Sequence, residues 1–209
     1  MAGSAPDALR ETARAALRSA FGPVPIGSLV PLSGGASGAV PFRAEVGGRR
    51  YLVRVEGPAS PLRNPYQYES LRIAAEAGLA PRLHHVDEAA RVAVTDFVAE
   101  RPLDRFPGGP GALAAALGTL LRRLQETPSF PAFVAYPDLV ARLWAHVGRT
   151  GLFAAGVLDP CTDHLEALRA MPGWGDAGAV SSHNDPVPRN ILFDGERLWL
   201  IDWESACRN

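Results

Sequence analysis

The spacing of apolar and polar positions changes about half way along the chain. In the first half, short apolar runs are separated by glycine-containing turns. From Arg49 to Glu56, the apolar Tyr51, Val53 and Val55 alternate with Leu52, Arg54 and Glu56, which predicts a strand with two different faces. In the second half, leucines recur at helical intervals, at Leu113, Leu117, Leu120, Leu121 and Leu124. The pattern therefore predicts a β-rich part followed by a helical part.

The first half begins with an amphipathic helix up to Phe21, whose apolar side carries Leu9, Ala13, Leu17 and Ala20. Three strands should follow, at 26–32, 39–46 and 49–56. A glycine-rich turn at 33–38 joins the first pair of strands, and Gly47-Gly48 is a hairpin turn between the second pair. We expect a three-strand antiparallel meander.

A second helix is predicted from Asn64 to Ala77. Asn64 would cap it, Pro65 would occupy its first position, and Gly78 would end it. Two further strands are expected at 82–86 and 91–98.

Beyond residue 98 the prediction is mainly helical. The glycines of 108–111 break the chain, and helices are expected around 113–124, 137–148 and 159–170. The segment 172–178 reads as a loop, and two short strands at 191–193 and 198–201 are joined by Asp194-Gly195, a hairpin dipeptide. The fold class is α+β, with an N-terminal lobe at 1–98 and a C-terminal lobe at 99–209.

The composition and net charge restrict the classes of partner that the chain is expected to bind. The net charge is −1 with no basic stripe, so we expect no nucleic-acid partner. All 21 basic residues are arginine. The two cysteines, Cys161 and Cys207, do not have metal-site spacing. Charges interrupt the N-terminal segment, and no window approaches the ~20 apolar residues of a membrane span, so we expect a cytoplasmic chain with no membrane contact.

One cluster of polar residues stands out near the C-terminus, in His183-Asn184-Asp185-Pro-Val-Pro-Arg-Asn190 and in Ile201-Asp202-Trp203-Glu204. Asp185 precedes Asn190 by five residues, and the predicted hairpin folds Asp202 back next to Asn190. Phosphoryl transfer needs one carboxylate to orient the attacking hydroxyl and oxygen ligands to hold Mg²⁺. We predict that Asp185 is the base and that Asn190 and Asp202 are the metal ligands.

Two other interpretations of these residues are open. Turns select Asp and Asn, so Asp185 and Asn190 could simply surround the two prolines, although this does not account for their joint spacing with the hairpin. A metal-dependent hydrolase built on His183, Asp185 and Asp202 would need further ligand histidines, and the other histidines show no matching pattern.

The motifs His-Asn-Asp-x4-Asn-Ile-Leu and Ile-Asp-Trp-Glu resemble those of the choline kinase and aminoglycoside phosphotransferase superfamily. The resemblance implies a bilobal protein-kinase-like fold. It also implies an ATP- and Mg²⁺-dependent kinase acting on a hydroxyl of a small molecule, such as an amino alcohol or an aminoglycoside. His183 would brace the catalytic loop rather than act as a base.

The resemblance also implies a nucleotide site. Ser33, Gly34, Gly35 and Ser37 would cradle the phosphates through backbone N–H groups, although the same turn could be an ordinary hairpin loop. Arg54 stands where kinases usually place a lysine, and Glu69 would be its partner on the following helix, with Glu76 as a second candidate. Asp96, Phe97 and Val98 would form the connection between the lobes whose backbone holds adenine.

The chain stops at Asn209, seven residues after Asp202. Members of the superfamily normally continue with further helices, so we expect an incomplete C-terminal lobe whose uncovered faces favour oligomers. The alternative function is a nucleotide-binding pseudoenzyme, or an inactive truncated form, that binds nucleotide without turnover.

Overall fold

A five-stranded antiparallel sheet forms most of the first half of the chain, with strand order β1-β2-β3-β5-β4. The computed structural model describes residues 5–33, 38–57, 64–134, 136–171 and 178–208. Its strands are β1 (Ile26–Pro31), β2 (Val40–Val46), β3 (Arg49–Val55), β4 (Leu83–Asp87), β5 (Val92–Asp96), β6 (Ser181–Ser182), β7 (Ile191–Phe193), β8 (Leu198–Leu200) and β9 (Cys207–Arg208). Its α-helices are α1 (Ala5–Phe21), α2 (Gln67–Glu76), α3 (Gly109–Gln125), α4 (Tyr136–Arg149) and α5 (Asp159–Arg169).

Helix α1 covers one face of the sheet, as its apolar stripe predicts. Ala13, Ala16 and Leu17 are buried against inward-facing residues of β2, β3 and β5. On β3, Tyr51, Val53 and Val55 belong to this core, whereas the alternate residues Leu52, Arg54 and Glu56 line a pocket on the other face. The period-2 pattern of the sequence therefore separates the core face of β3 from the face that lines the pocket.

The β2–β3 hairpin confirms the Gly47-Gly48 turn. Val46 pairs with Arg49, which leaves only the two glycines in the loop. Their φ angles are +57° and +75°, a left-handed conformation that glycine adopts without strain. The predicted meander of three strands is part of the larger sheet, because β5 pairs with β3 and β4 pairs with β5.

Helix α2 begins later than predicted. It starts at Gln67, because the Asn64 side chain makes a turn outside the helix, where its Oδ1 accepts the Tyr66 N–H at 2.9 Å. The Asn64 Nδ2 donates instead to the Ala206 carbonyl at 2.6 Å. The end of the helix is as predicted, with Gly78 at a φ of +67° just beyond it.

Strand β5 ends at Asp96, two residues before its predicted end. The Asp96 and Phe97 N–H groups bond to the carbonyls of Arg82 and Arg50. The chain then crosses to the second half, where the Arg101 N–H donates to the Phe193 carbonyl at 2.7 Å. This connection joins the sheet to the β7–β8 hairpin.

A second hydrophobic core lies beyond the connection and includes α2. Ala74, Leu79 and Ala80 pack with residues of α3, with Phe130 and Trp203, and with the β7–β8 hairpin. The predicted lobe division after residue 98 remains a prediction, since the apolar side of α2 belongs to this second core. The predicted loop at 172–178 falls almost wholly outside the described residues.

Helices α4 and α5 lie at the periphery, where the structure confirms helices close to the predicted ranges. The Trp144 indole donates to Thr162 Oγ1 at 2.8 Å and joins the two helices. Large apolar side chains are exposed on and around this pair: Leu143, Leu152, Phe153, Val157, Leu168 and Met171. Self-association through such faces stays a prediction.

Two further observations concern membrane-spanning helices and the pairing of the cysteines. None of the helices in the described ranges is long and apolar enough to cross a membrane. Cys161 and Cys207 are both free thiols.

Candidate active site

Asp185 and Asn190 meet in the loop after β6, as their spacing predicts. Asn190 Nδ2 donates to Asp185 Oδ2 at 2.9 Å and to the Asp185 carbonyl at 3.0 Å. A single turn of 3₁₀-helix at Pro188–Asn190 closes the loop, and Asn190 is buried beneath it. The side chain of Asp185 remains 38% exposed. A carboxylate fixed by an amide and partly exposed can accept a proton from a bound hydroxyl.

His183 lies under the same loop and joins it to β8. Its Nε2 donates to the Ile201 carbonyl at 2.9 Å, and its Nδ1 accepts the Asp185 N–H at 3.3 Å. Burial lowers the pKa of His183 and outweighs the opposing effects of the Ile201 carbonyl and of Asp202 and Asp185. A neutral ring with one donor and one acceptor nitrogen matches these two bonds.

The β7–β8 hairpin brings Asp202 to Asn190. The Ile201 N–H donates to the Asn190 carbonyl at 3.0 Å, so the residue before Asp202 is bonded to the loop that carries Asn190.

The turn of the β7–β8 hairpin is stabilised by Asp194. Although burial acts to raise the pKa of Asp194, hydrogen bonds from the Arg197 N–H, the Trp199 indole and the Glu196 N–H hold it below its usual value.

Asp202 has an unusual backbone conformation, with a φ of +66°, and Asn184 has a φ of +62°. Non-glycine residues rarely adopt this region, and where they do the strain often lies at a functional site. The Asn184 side chain donates to the Ser205 carbonyl at 2.9 Å and so connects the loop after β6 with the segment after β8.

Arg54 points into the cleft and binds three carboxylates. Its Nη1 lies 2.8 Å from Asp202 Oδ1, its Nη2 lies 2.9 Å from Glu204 Oε2, and its Nε lies 3.3 Å from Glu56 Oε1. Burial alone would lower the pKa of Arg54, but Asp202, Glu56 and Glu204 together raise it. The guanidinium is therefore a permanent cation that connects the sheet with the segment after β8.

Glu69, the predicted partner of Arg54, lies elsewhere. It is exposed on α2, and so is Glu76, the second candidate. Among the described residues, the α2 side chains that line the pocket of Arg54 are those of Gln67, Tyr68 and Leu71. Because α2 turns its apolar side toward the second core, positions 69 and 76 face solvent.

The glycine-rich turn is described only at its ends. Ser33 is exposed after β1, whereas Gly34, Gly35 and Ser37 lie outside the described residues. Gly38 ends the turn with a φ of +75°. A Cβ added at Gly57, which follows β3, would lie 2.8 Å from the Gly38 carbonyl oxygen, so the turn and the end of β3 are in close backbone contact.

The predicted adenine segment lies at the end of β5. Asp96 turns its side chain away from the pocket of Arg54 and bonds to His84 Nε2 at 2.7 Å. Phe97 and Val98 are half-buried in the connection to Arg101. Thr95 is the last residue of β5 that lines the pocket, directly before this segment.

Sequence reasoning assigned no role to Glu56, Gln67 or Glu204. Glu56 could have been found from the alternation of β3, since it shares the cleft face with Arg54. Glu204 stands in the same motif as Asp202. Gln67 gave no sequence signal, because its direction depends on the orientation of α2.

The charges of the cleft are compatible with a divalent cation. The carboxylates of Glu56, Asp202 and Glu204 all lie within 3.3 Å of the Arg54 guanidinium, so acidic groups are concentrated around this cation. Within the described ranges, no group of three His, Cys, Asp or Glu side chains forms a metal site by itself. Mg²⁺ usually takes one or two protein oxygens and completes its shell with water and phosphate, so Asn190 and Asp202 form a suitable donor set.

Comparison with known proteins gives a family match. Residues 28–209 match the profile of the phosphotransferase enzyme family. No curated protein matches the sequence significantly.

Solved structures share the fold. A choline/ethanolamine kinase family protein from Mesorhizobium loti is 26% identical, with a TM-score of 0.65 over 96% of this chain and 66% of that one. The choline kinase LicA from Streptococcus pneumoniae, in complex with AMP, is 18% identical, with a TM-score of 0.72 over 99% and 71% of the chains. The spectinomycin phosphotransferase APH(9)-Ia, in complex with ADP and spectinomycin, is 14% identical, with a TM-score of 0.59 over 100% and 71%. The chain thus has the kinase-like fold and spans about two thirds of the length of these relatives.

Proposed function

Since this chain belongs to the phosphotransferase enzyme family, we propose that it transfers the γ-phosphoryl group of ATP to a hydroxyl of a small molecule. The acceptor class that we favour is an amino alcohol or an aminoglycoside, because solved relatives include a choline kinase and a spectinomycin phosphotransferase. The observation that supports the proposal is a chain of contacts: Asn190 bonds to Asp185, the Ile201 N–H donates to the Asn190 carbonyl, and Asp202, the next residue, contacts Arg54.

Each residue has a chemical role in this proposal. Asp185 accepts a hydrogen bond from the attacking hydroxyl and takes its proton as the new P–O bond forms. The bond from Asn190 Nδ2 holds the Asp185 carboxylate in place. His183 fixes the backbone on both sides, through the Asp185 N–H and the Ile201 carbonyl.

The nucleotide is held from the sheet side of the cleft. Arg54 contacts the phosphates with a planar guanidinium that suits phosphate oxygens, and the turn from Ser33 to Gly38 covers them. The backbone of 96–98 binds the adenine. Asn190 and Asp202 would hold Mg²⁺, which when bound neutralises phosphate charge.

The first experiment measures the thermal midpoint of this 209-residue chain with and without Mg²⁺-ATP, and ADP release with a panel of amino alcohols and aminoglycosides. Ligand that binds only the folded state raises the midpoint. We expect a rise that requires Mg²⁺, together with acceptor-dependent ADP release. A rise without turnover would favour the nucleotide-binding alternative, and no rise would contradict the proposed nucleotide site.

Asp185→Ala separates chemistry from binding. We expect the variant to lose acceptor-dependent ADP release by about 100-fold or more, because the proton acceptor is gone, and to keep the Mg²⁺-ATP shift. Asp163→Ala, which changes an exposed carboxylate on α5, is the matched control and should behave like the wild type. Unchanged turnover in Asp185→Ala would refute the role of Asp185 as the base.

A further inference from the structure

The pocket between β3 and α2 contains a polar side chain that the proposed reaction does not use. Gln67 is the first residue of α2 and is only 5% exposed. Its Oε1 accepts no hydrogen bond within the described part of the chain. A buried amide oxygen without a donor is costly, so it calls for an explanation.

Gln67 shares its pocket with Arg54 and Glu56. In protein kinases, the cation on the third strand is paired with a glutamate from the following helix. Here the α2 side chains that line the pocket are those of Gln67, Tyr68 and Leu71, and none of them is a carboxylate that could neutralise a guanidinium. A neutral group therefore stands on the helix side of Arg54.

The missing carboxylate comes from the strand itself. Glu56 lies two residues beyond Arg54, so both side chains project from the same face of the sheet. The Glu56 side chain is 2% exposed, and its Oε1 lies 3.3 Å from Arg54 Nε. The Glu56 N–H donates to the Arg91 carbonyl at 2.9 Å, which anchors the backbone at this position.

Two further contacts of Arg54 come from a distant part of the chain. Asp202 and Glu204 follow β8, on the opposite side of the cleft. Asp202 is also a predicted metal ligand, so a bound cation would compete with Arg54 for its carboxylate. The contact with Glu56 does not depend on that exchange, because Arg54 and Glu56 move together on one strand.

We propose that Glu56 is the positioning residue that orients Arg54 toward the nucleotide phosphates, in place of a carboxylate on α2, whose position Gln67 occupies. The assignment rests on the proposed function, because the orientation of Arg54 matters only if phosphates bind there. It predicts that the negative charge can be moved from position 56 to position 67 with retention of nucleotide binding.

The test is a charge swap in the full 209-residue chain, with the dissociation constant for Mg²⁺-ATP measured by calorimetry. Glu56→Gln should weaken binding about tenfold, the effect of losing the ion pair that orients Arg54. Gln67→Glu alone should also weaken binding, because it adds a fourth carboxylate to the cluster. The double variant should bind within about threefold of the wild type, since the carboxylate is restored on the helix side.

Glu166→Gln is the matched control, because it makes the same change at an exposed glutamate on α5, and it should leave binding unchanged. Thermal midpoints without ligand show whether each variant is folded. Wild-type-like binding by Glu56→Gln, or a folded double variant that binds no better than Glu56→Gln, would overturn the assignment. Absence of binding by the wild type would instead refute the proposed function, and the assignment with it.

Discussion

His183 makes two hydrogen bonds of opposite sense, and together they match a neutral ring. The ring donates through Nε2 and accepts through Nδ1. A proton added at Nδ1 would face the Asp185 N–H, so two donors would meet. This geometry, in addition to burial, favours the neutral ring in the folded chain.

Stability should therefore depend on pH through His183. Its pKa is lowered in the folded chain from an ordinary value of 6.5. As the pH falls below about 6.5, the unfolded chain takes up a proton that the folded chain does not, so stability is lost by up to about 1.4 kcal/mol per pH unit. Urea unfolding without Mg²⁺ between pH 7.5 and 5.5 should show a shallower dependence for His183→Gln than for the wild type.

His164→Gln is the control for this measurement, because His164 is exposed on α5. This variant should keep the slope of the wild type. Equal slopes for His183→Gln and the wild type would contradict a neutral buried ring.

Between elements, the turn before β2 and the end of β3 are in close contact. A Cβ at Gly57 would lie 2.8 Å from the Gly38 carbonyl oxygen, closer than real Cβ contacts. Both partners are backbone, so the turn itself would have to shift.

Gly57→Ala should therefore weaken Mg²⁺-ATP binding about fivefold or more, because the displaced turn covers the phosphates in the proposed complex. The loss of unfolding free energy should stay near about 1 kcal/mol. Gly27→Ala on β1 is the comparison, since its Cβ would lie at an ordinary 3.5 Å from the Glu45 carbonyl oxygen. If both variants bound Mg²⁺-ATP equally well, the contact at Gly57 would have no role in the nucleotide site.

Across the whole molecule, the region before α2 is tied to the C-terminal segment. The Ala206 carbonyl accepts from Asn64 Nδ2 at 2.6 Å and from Ser70 Oγ at 3.1 Å. Asn64 and Ser70 are both buried. These bonds connect positions more than 130 residues apart and hold the segment that carries Asp202 and Glu204 against α2.

Asn64→Ala should lower the unfolding free energy by about 2 kcal/mol, because it removes a buried bond to Ala206 together with the turn at Tyr66. Ser70→Ala should cost about 1 kcal/mol, since Asn64 still binds Ala206. Thr119→Ala, which removes an exposed hydroxyl from α3, should have little effect. Urea denaturation measures all three, and an Asn64→Ala variant as stable as Thr119→Ala would contradict this account of the interface.

The sequence by itself determined the structural features that depend only on residues close together along the chain. The alternation in β3, the two-glycine hairpin, the stripe of α1 and the five-residue spacing of Asp185 and Asn190 all follow local geometry, and the structure reproduces them. The motifs around Asp185 and Asp202 also indicated the family correctly.

Only the tertiary structure decided which groups meet from distant segments. It gave Arg54 the carboxylates of Asp202 and Glu204, whereas the sequence favoured Glu69. In the structure the Asn64 side chain donates to the Ala206 carbonyl and does not cap α2 as predicted. The physical reason is the same in both cases. Packing against the second core fixes where α2 starts and how it is rotated about its axis. The rotation of a helix decides which of its side chains face a given neighbouring element.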